Sequence, residues 1–181
     1  MKTLIAGLGL AAMLVLPGVA SAGSYADERA AIENLSNRYM VAVDAGDLET
    51  VMSTWDENGV MRWAGGEDRG KAAIRKSMAA FVGPPKVKLA ADATSRPRTR
   101  HNILNHVITI DGDHATDIAY WFELSNQTPQ HNVQVINYGH YEDKLEKKNG
   151  QWYFTERLIY NEQGDNRMLF YPALGETDPR K

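Results

Sequence analysis

Apolar residues recur at three- and four-residue steps along the first half of the chain, which is the spacing of an amphipathic helix. The clearest stripe predicts a helix over residues 27–45 and consists of Ile32, Leu35, Tyr39 and Val43. Gly46 is expected to end this helix, and Asp47 to cap a second helix over 48–55. A further stripe predicts a third helix over 71–81.

The second half alternates between apolar and polar residues, which indicates strands. The predicted strands cover residues 60–63, 100–110, 115–124, 133–145 and 151–160. Asp111-Gly112-Asp113 and Asn149-Gly150 supply tight hairpin turns, and the polar segment 86–98 is expected to be a loop. Three helices followed by long antiparallel strands predict an α+β domain, in which the helices cover one face of a curved sheet and leave a cone-shaped cavity.

The N-terminus has the three parts of a secretory signal peptide. A basic start is followed by an apolar run over 4–20 and by the small residues Ala20-Ser21-Ala22. The run is short for a membrane-spanning helix, which needs about 20 residues, although an uncleaved anchor remains the alternative. We therefore expect a signal peptide over 1–22, a mature domain over 23–162, a C-terminal tail over 163–181, and export to the periplasm or the exterior.

The composition of the chain excludes several classes of function. The chain has no cysteine, so thiolate catalysis and thiolate metal sites are excluded, and its formal net charge of −3 offers no basic field for nucleic acid. No later apolar run is long enough for membrane insertion after signal cleavage. Because no phosphate-binding loop, nucleophile elbow or dinucleotide fingerprint occurs, no cofactor is expected.

The strand over 100–110 is mostly apolar but carries an imidazole on each face. Strict alternation places His101 and Asn105 on one face and His106 on the other. Such a strand is typical of the wall of a pocket with a polar centre. Because the two histidines would face opposite sides, and no metal-binding motif occurs, no metal site is expected.

Several short motifs together resemble the SnoaL-like group of the NTF2-like superfamily, which includes scytalone dehydratase and bile acid dehydratase. The resemblance spans about residues 26–157 and implies a cone-shaped NTF2-like barrel, with three N-terminal helices packed on a curved, mainly antiparallel sheet. The matching segments are Tyr39…Asp44-Ala-Gly-Asp47, Trp55-Asp56-Glu57-Asn58-Gly59, Gly70-Lys71, Thr99-Arg100-His101 with Asn105, Asp111-Gly112-Asp113-His114-Ala115, Gly139-His140-Tyr141-Glu142-Asp143 and Gly150-Gln151-Trp152…Arg157.

The resemblance implies an acid–base dyad of His101 and Asp44, with Tyr39 as an active-site hydroxyl. It also matches Trp63 to an aromatic hydrogen-bonding residue of the dehydratases, although here an indole replaces a phenol. A second catalytic histidine would fall within 123–126, where this chain has none, and that departure argues against the substrate of scytalone dehydratase.

Each candidate residue also has a structural interpretation. His101 would then be a hydrogen-bonded wall residue, Asp44 a solvated helix end, and Tyr39 a core ring. Arg157 either clamps a substrate carboxylate or phenolate, or pairs with Glu123 or Glu142 as scaffolding. Aromatic residues such as Tyr120 belong to the core, to a subunit contact or to a ligand-binding wall.

Two functional hypotheses follow. The first is a cofactor-independent dehydratase-type lyase or isomerase for a small hydrophobic, aromatic or polycyclic compound. Its catalytic residues would be His101, Asp44 and Tyr39, and its substrate-binding residues Trp63, Asn105, Tyr120 and Arg157. The second is a non-catalytic ligand-binding or dimerisation module, with Leu104, Ile108 and Ile110 at the subunit contact. A homodimer or homotrimer is expected in either case.

Overall fold

The computed structural model describes residues 24–64, 66–82, 98–127 and 132–163. The signal peptide expected at 1–22 lies outside the described residues, as do nearly all of the loop expected at 86–98 and of the tail expected at 163–181. Within the described part of the chain, no helix is both long and apolar enough to cross a membrane.

Three helices precede most of the sheet: α1 (Tyr25–Ala45), α2 (Leu48–Ser53) and α3 (Lys71–Phe81). Ser24 begins α1 with a reciprocal capping box, and Gly46 ends it in the left-handed conformation (φ 82°) that glycine adopts without steric cost. Asp47 caps α2 as expected, since its Oδ1 accepts a hydrogen bond from the Thr50 N–H at 3.0 Å.

Six strands form one sheet in the order β2-β1-β6-β5-β4-β3. Only β1 and β6 run parallel, and the other neighbours are antiparallel. The described sheet is open, with β2 and β3 at its edges, and the predicted α+β class with helices packed on a mainly antiparallel sheet is confirmed. The strands are β1 (Trp55–Trp63), β2 (Gly66–Arg69), β3 (Thr99–Asp111), β4 (His114–Ser125), β5 (Gln134–Lys148) and β6 (Gln151–Asn161).

The region after α2 departs from the sequence-based prediction. The second helix ends at Ser53, and β1 begins at Trp55, before the expected turn. The segment between Trp55 and Val60 is an irregularity within the pairing of β1 with β6. The strand β2 was not predicted, because its four residues carry no apolar alternation and begin at the second glycine of the Gly65-Gly66 pair.

A β-bulge interrupts the pairing of β3 with β4 between Leu104 and Val107. Asn105 adopts φ 58° at this point, a conformation that asparagine tolerates better than most residues. Beyond the bulge, each side chain points to the face opposite to the one that uninterrupted alternation predicts. Ile108 is therefore buried in the main core beneath the helices. The prediction that Ile108 and Ile110 face away from the helices, as part of a subunit contact, was therefore wrong.

The main core lies between the helices and the concave face of the sheet. Tyr39 of α1, Trp55 of β1 and Phe154 of β6 pack together, with ring centroids 5.6 to 6.4 Å apart. All three are nearly or fully buried. This aromatic cluster fixes α1 against the sheet and thereby positions the end of α1 beside β3.

Candidate functional site

A cavity of about 530 Å³ opens between α1, α3 and the concave face of the sheet. Its volume lies within the range of about 300–1,000 Å³ that is typical of small-ligand sites. Most of its wall is apolar or aromatic, and a few polar groups interrupt that wall. The apolar and aromatic lining includes Met40, Val43, Met61, Trp63, Met78, Phe81, Trp121, Tyr141 and Ile159.

Asp44 and His101 meet in this cavity. Asp44 lies in the last turn of α1, and its Oδ1 is 2.7 Å from the His101 Nδ1. Its second oxygen, Oδ2, accepts a hydrogen bond from the His101 main-chain N–H at 2.9 Å. Because a carboxylate only accepts hydrogen bonds, the proton of a neutral imidazole is held on Nδ1, and Nε2 is left with a free lone pair.

Glu123 is a cavity residue that the sequence analysis did not select. It lies directly opposite His101 in the pairing of β3 with β4, and both residues line the cavity. Its Oε2 is 3.7 Å from the His101 Nε2, which is too long for a hydrogen bond. The imidazole therefore has a carboxylate on each side, and Nε2 remains available to a ligand.

Tyr39 also lines the cavity, and its hydroxyl lies close to Met78 and Arg157. Its O–H donates to the Sδ atom of Met78 at 3.6 Å, and thioether sulfur is a weak acceptor. Burial raises the pKa of the Tyr39 phenol above its ordinary value of 10.0, and the nearby positive charge of Arg157 opposes that rise. The phenol is therefore protonated at neutral pH and could donate to a ligand oxygen in place of Met78.

Trp63 lines the cavity, but its N–H group is already bound. The indole Nε1 donates to Asp68 of β2 at 3.0 Å. Its ring packs edge-on against Phe81 of α3, with centroids 5.0 Å apart. Trp63 therefore contributes an aromatic wall, while its hydrogen-bonding capacity is used within the protein.

Arg157 lies beneath the cavity wall and does not line it. The side chain has no exposed surface and binds Asp143 through two hydrogen bonds, from Nε at 2.8 Å and from Nη2 at 2.7 Å. Its guanidinium lies 4.4 Å from the ring centre of Tyr39 and 4.3 Å from that of Tyr141. Its partner is thus Asp143, where the sequence analysis suggested Glu123 or Glu142.

The structure does not bring Asn105 and Tyr120 to the cavity. Asn105 is exposed at the bulge, which turns it away from the face that carries His101. Tyr120 pairs with Leu104 on the opposite face of the sheet and is 51% exposed. Of the predicted site residues, His101, Asp44, Tyr39 and Trp63 share the cavity, whereas Asn105, Tyr120 and Arg157 lie outside its lining.

The bulge also creates a second His–Asp pair. The His106 Nδ1 lies 2.7 Å from Oδ2 of Asp117, whose side chain has no exposed surface. Because Asp117 lies on the concave face, His106 points to the same side of the sheet as His101, contrary to the prediction from alternation. Neither residue lines the cavity. Across the described ranges, no three His, Asp or Glu side chains converge as metal ligands would.

The α+β fold that forms this cavity between helices and sheet is shared with known proteins. The model of the SnoaL-like domain family matches residues 24–158, and the chain belongs to this family. A comparison with curated proteins gives no significant match. The match covers α1 to most of β6, and it includes every residue that lines the cavity except Ile159 and Asn161.

Solved structures show the same NTF2-like fold. The chain is similar to a protein of unknown function with a cystatin-like fold from Nostoc punctiforme (22% identity, 76% of this chain and 92% of that chain, TM-score 0.62). It is also similar to Rv3472 from Mycobacterium tuberculosis, a protein of unknown function (25% identity, 75% and 77%, TM-score 0.61). A third structure is a candidate scytalone dehydratase from Novosphingobium aromaticivorans (20% identity, 75% and 85%, TM-score 0.61).

Proposed function

We propose that this protein is a cofactor-independent acid–base enzyme, either a dehydratase-type lyase or an isomerase. Its substrate would be a small hydrophobic compound, aromatic or polycyclic, that carries a carbonyl group. The observation that supports this proposal is the contact of Asp44 with both the ring and the main chain of His101 inside a largely apolar cavity. A buried carboxylate on Nδ1 orients an imidazole as a general base and stabilises the imidazolium that forms.

In the proposed reaction, Nε2 of His101 takes a proton from the carbon next to the carbonyl. The carbonyl oxygen gains negative charge, and the hydroxyl of Tyr39 donates a hydrogen bond to it in place of its weak bond to Met78. In a dehydration, the carbon–oxygen bond to the β-hydroxyl then breaks while that oxygen takes the proton from the imidazolium. Water leaves and neutral His101 is restored. An isomerase would return the proton to a different carbon.

Bicyclic β-hydroxyketones are suitable test substrates, because loss of water extends their conjugation and changes their ultraviolet absorbance. We expect turnover by the wild-type protein and a loss of at least about a hundredfold for His101→Ala, which is the usual contribution of a general base. His114→Ala is the matched control, since His114 is exposed and does not line the cavity. A folded His101→Ala protein that keeps near-normal turnover would overturn the assignment of the base.

The same cavity also supports the second candidate, a non-catalytic binding module. Its mostly apolar wall could hold a hydrophobic ligand without reaction. Asp44→Asn distinguishes the two candidates: an enzyme would retain binding and lose rate, whereas a binder would show no turnover in either form. Binding that is unaffected by Asp44→Asn, with no turnover across the substrate panel, would favour the binder.

Export and self-association complete the proposal. The N-terminal signal pattern supports a periplasmic or secreted protein, and cell fractionation with N-terminal sequencing of the mature chain tests it.

The convex sheet face carries Val107, Tyr120 and Tyr138, which are 63%, 51% and 46% exposed. Exposed apolar groups on one face favour a homodimer or homotrimer. Light scattering of wild type and Tyr120→Glu tests this, and a monomeric wild type would contradict it.

A further inference from the structure

Two acidic side chains flank His101, which is the only histidine among the described residues that line the cavity. Asp44 contacts Nδ1 of His101, and Glu123 lies beside Nε2. Both carboxylates are largely buried, with 8% and 18% of their side-chain surface exposed. Among the described residues that line the cavity, none is a lysine or an arginine. The described wall therefore carries two negative charges against at most one positive charge.

Arg157, a buried cation behind this wall, does not compensate the negative charges of Asp44 and Glu123. Arg157 is neutralised by Asp143, to which it is joined by two hydrogen bonds. Its guanidinium contacts the rings of Tyr39 and Tyr141, and these rings, not the guanidinium, form the lining. A ligand carboxylate in the cavity would therefore meet aromatic carbon above Arg157 and could not form the two-point contact that a free guanidinium offers.

We infer that the cavity selects uncharged or positively charged ligands and rejects organic anions, and that Glu123 is the specificity-determining residue. This inference rests on the proposed function, since it concerns the ligand of the same site. An anionic group near His101 would add a third negative charge in a half-enclosed space, where charges repel more strongly than in water. The substrate class is thus an aromatic or polycyclic alcohol or ketone, and not a carboxylic acid or a phosphate ester.

The polar lining at the same end of the cavity agrees with a neutral substrate. Gln127, Asn137 and Thr99 line the cavity, and their amide and hydroxyl groups can donate to or accept from alcohol and carbonyl oxygens. Neutral partners of this kind bind a hydroxyl without adding charge. They complement the two carboxylates, which would accept hydrogen bonds from a hydroxyl or an ammonium group.

Three naphthalene probes of matched size test the inference: 1-naphthylmethanol is neutral, 1-naphthylmethylamine is cationic and 1-naphthoate is anionic at neutral pH. Their dissociation constants can be measured by fluorescence and calorimetry with the full-length mature protein. We expect 1-naphthoate to bind at least about tenfold more weakly than the alcohol, and the ammonium to bind at least as tightly as the alcohol. Equal or tighter binding of 1-naphthoate would overturn the inference.

The variant Glu123→Gln removes one charge and keeps the size of the side chain. We expect it to reduce the preference for the alcohol over 1-naphthoate to less than about threefold. Glu57→Gln is the control, because Glu57 is highly exposed, pairs with Lys71 and does not line the cavity. An unchanged preference in Glu123→Gln would overturn the role of Glu123, and the wild-type probes still test selectivity if that variant fails to fold.

The failure of this inference differs from the failure of the proposed function. If all three probes bind equally while turnover still depends on His101, the charge selectivity is absent and the enzyme assignment stands. If none of the probes binds, the inference is overturned, and the aromatic-binding cavity of the proposed function is contradicted with it.

Discussion

Asp44 holds His101 at two points, by a 2.7 Å contact with Nδ1 and by a 2.9 Å hydrogen bond from the main-chain N–H. The second contact fixes the carboxylate relative to the backbone of β3, so the ring is oriented by a group that cannot itself rotate freely. We expect Asp44→Asn to lower turnover by about a hundredfold or more, because the amide can donate to Nδ1 and favour the wrong tautomer. Nitrogen-15 NMR of the His101 ring would show the change of tautomer directly.

The matched control for this prediction is Asp47→Asn. Asp47 lies three residues away, but its side chain caps α2 and does not line the cavity. Asparagine caps helices about as well as aspartate, so stability and turnover should both stay close to wild type. If Asp44→Asn leaves both the tautomer and the rate unchanged, the two residues do not act together.

The pair formed by Asp143 and Arg157 predicts a pH dependence of stability. Burial raises the pKa of Asp143 to about 6, against the opposing influence of Arg157. Because the folded-state pKa lies above the ordinary value of 3.8, the folded protein binds more protons between these values, and its stability falls as pH rises through this window.

Asp143→Asn removes this titration and mimics the protonated carboxyl. Relative to this variant, the free energy of unfolding of the wild type should fall by up to about 3 kcal/mol between pH 4 and 7. Urea unfolding of both proteins at several pH values measures the difference. The prediction would be contradicted if the free energy of unfolding of the wild type, relative to that of Asp143→Asn, rose with pH.

The elements predicted correctly are those whose periodicity needs no tertiary information. The apolar stripe over 71–81 gives α3 its observed bounds, and the Asn149-Gly150 signal gives the observed hairpin between β5 and β6. The start of β1 at Trp55 could not be predicted in this way. Trp55 is fully buried against Phe154, and this contact depends on a strand almost a hundred residues away.

Only part of the candidate site was predicted, because the rest depends on tertiary structure. Counting back from the Asp111↔His114 pair without interruption would place Leu124 opposite His101, whereas the bulge places Glu123 there. Glu123 therefore escaped a prediction based on alternation. Asp44 and His101 could be paired only through the family resemblance, because no sequence pattern shows that the end of α1 reaches β3.

The bulge itself gives the third prediction. Asn105 has φ 58°, which a β-branched residue adopts only with strain. We expect Asn105→Val to lower the free energy of unfolding by about 1–2 kcal/mol, whereas Asn105→Gly should be tolerated because glycine adopts this conformation freely. Urea unfolding measures both. A valine variant as stable as the glycine variant would show that the bulge is not held by its backbone conformation.

Gly139 allows β5 and β6 to approach closely beside the cavity, and this gives the last prediction. A Cβ atom at this position would lie 1.8 Å from the Tyr160 carbonyl oxygen and 3.1 Å from Cζ2 of Trp121. Because the first obstacle is backbone, the strands would have to separate, and Trp121, whose ring centre is 6.3 Å from that of His101, would have to move.

We therefore expect Gly139→Ala to lower the free energy of unfolding by at least about 2 kcal/mol and to change the fluorescence of Trp121. Gly112→Ala is the comparison, since a Cβ there meets nothing within 4 Å and only the φ of 58° opposes it. That variant should lose about 1 kcal/mol and leave the cavity unchanged. If Gly139→Ala were no less stable than Gly112→Ala, the close approach of the strands would not be what requires glycine, and the position of Trp121 beside His101 would not depend on it.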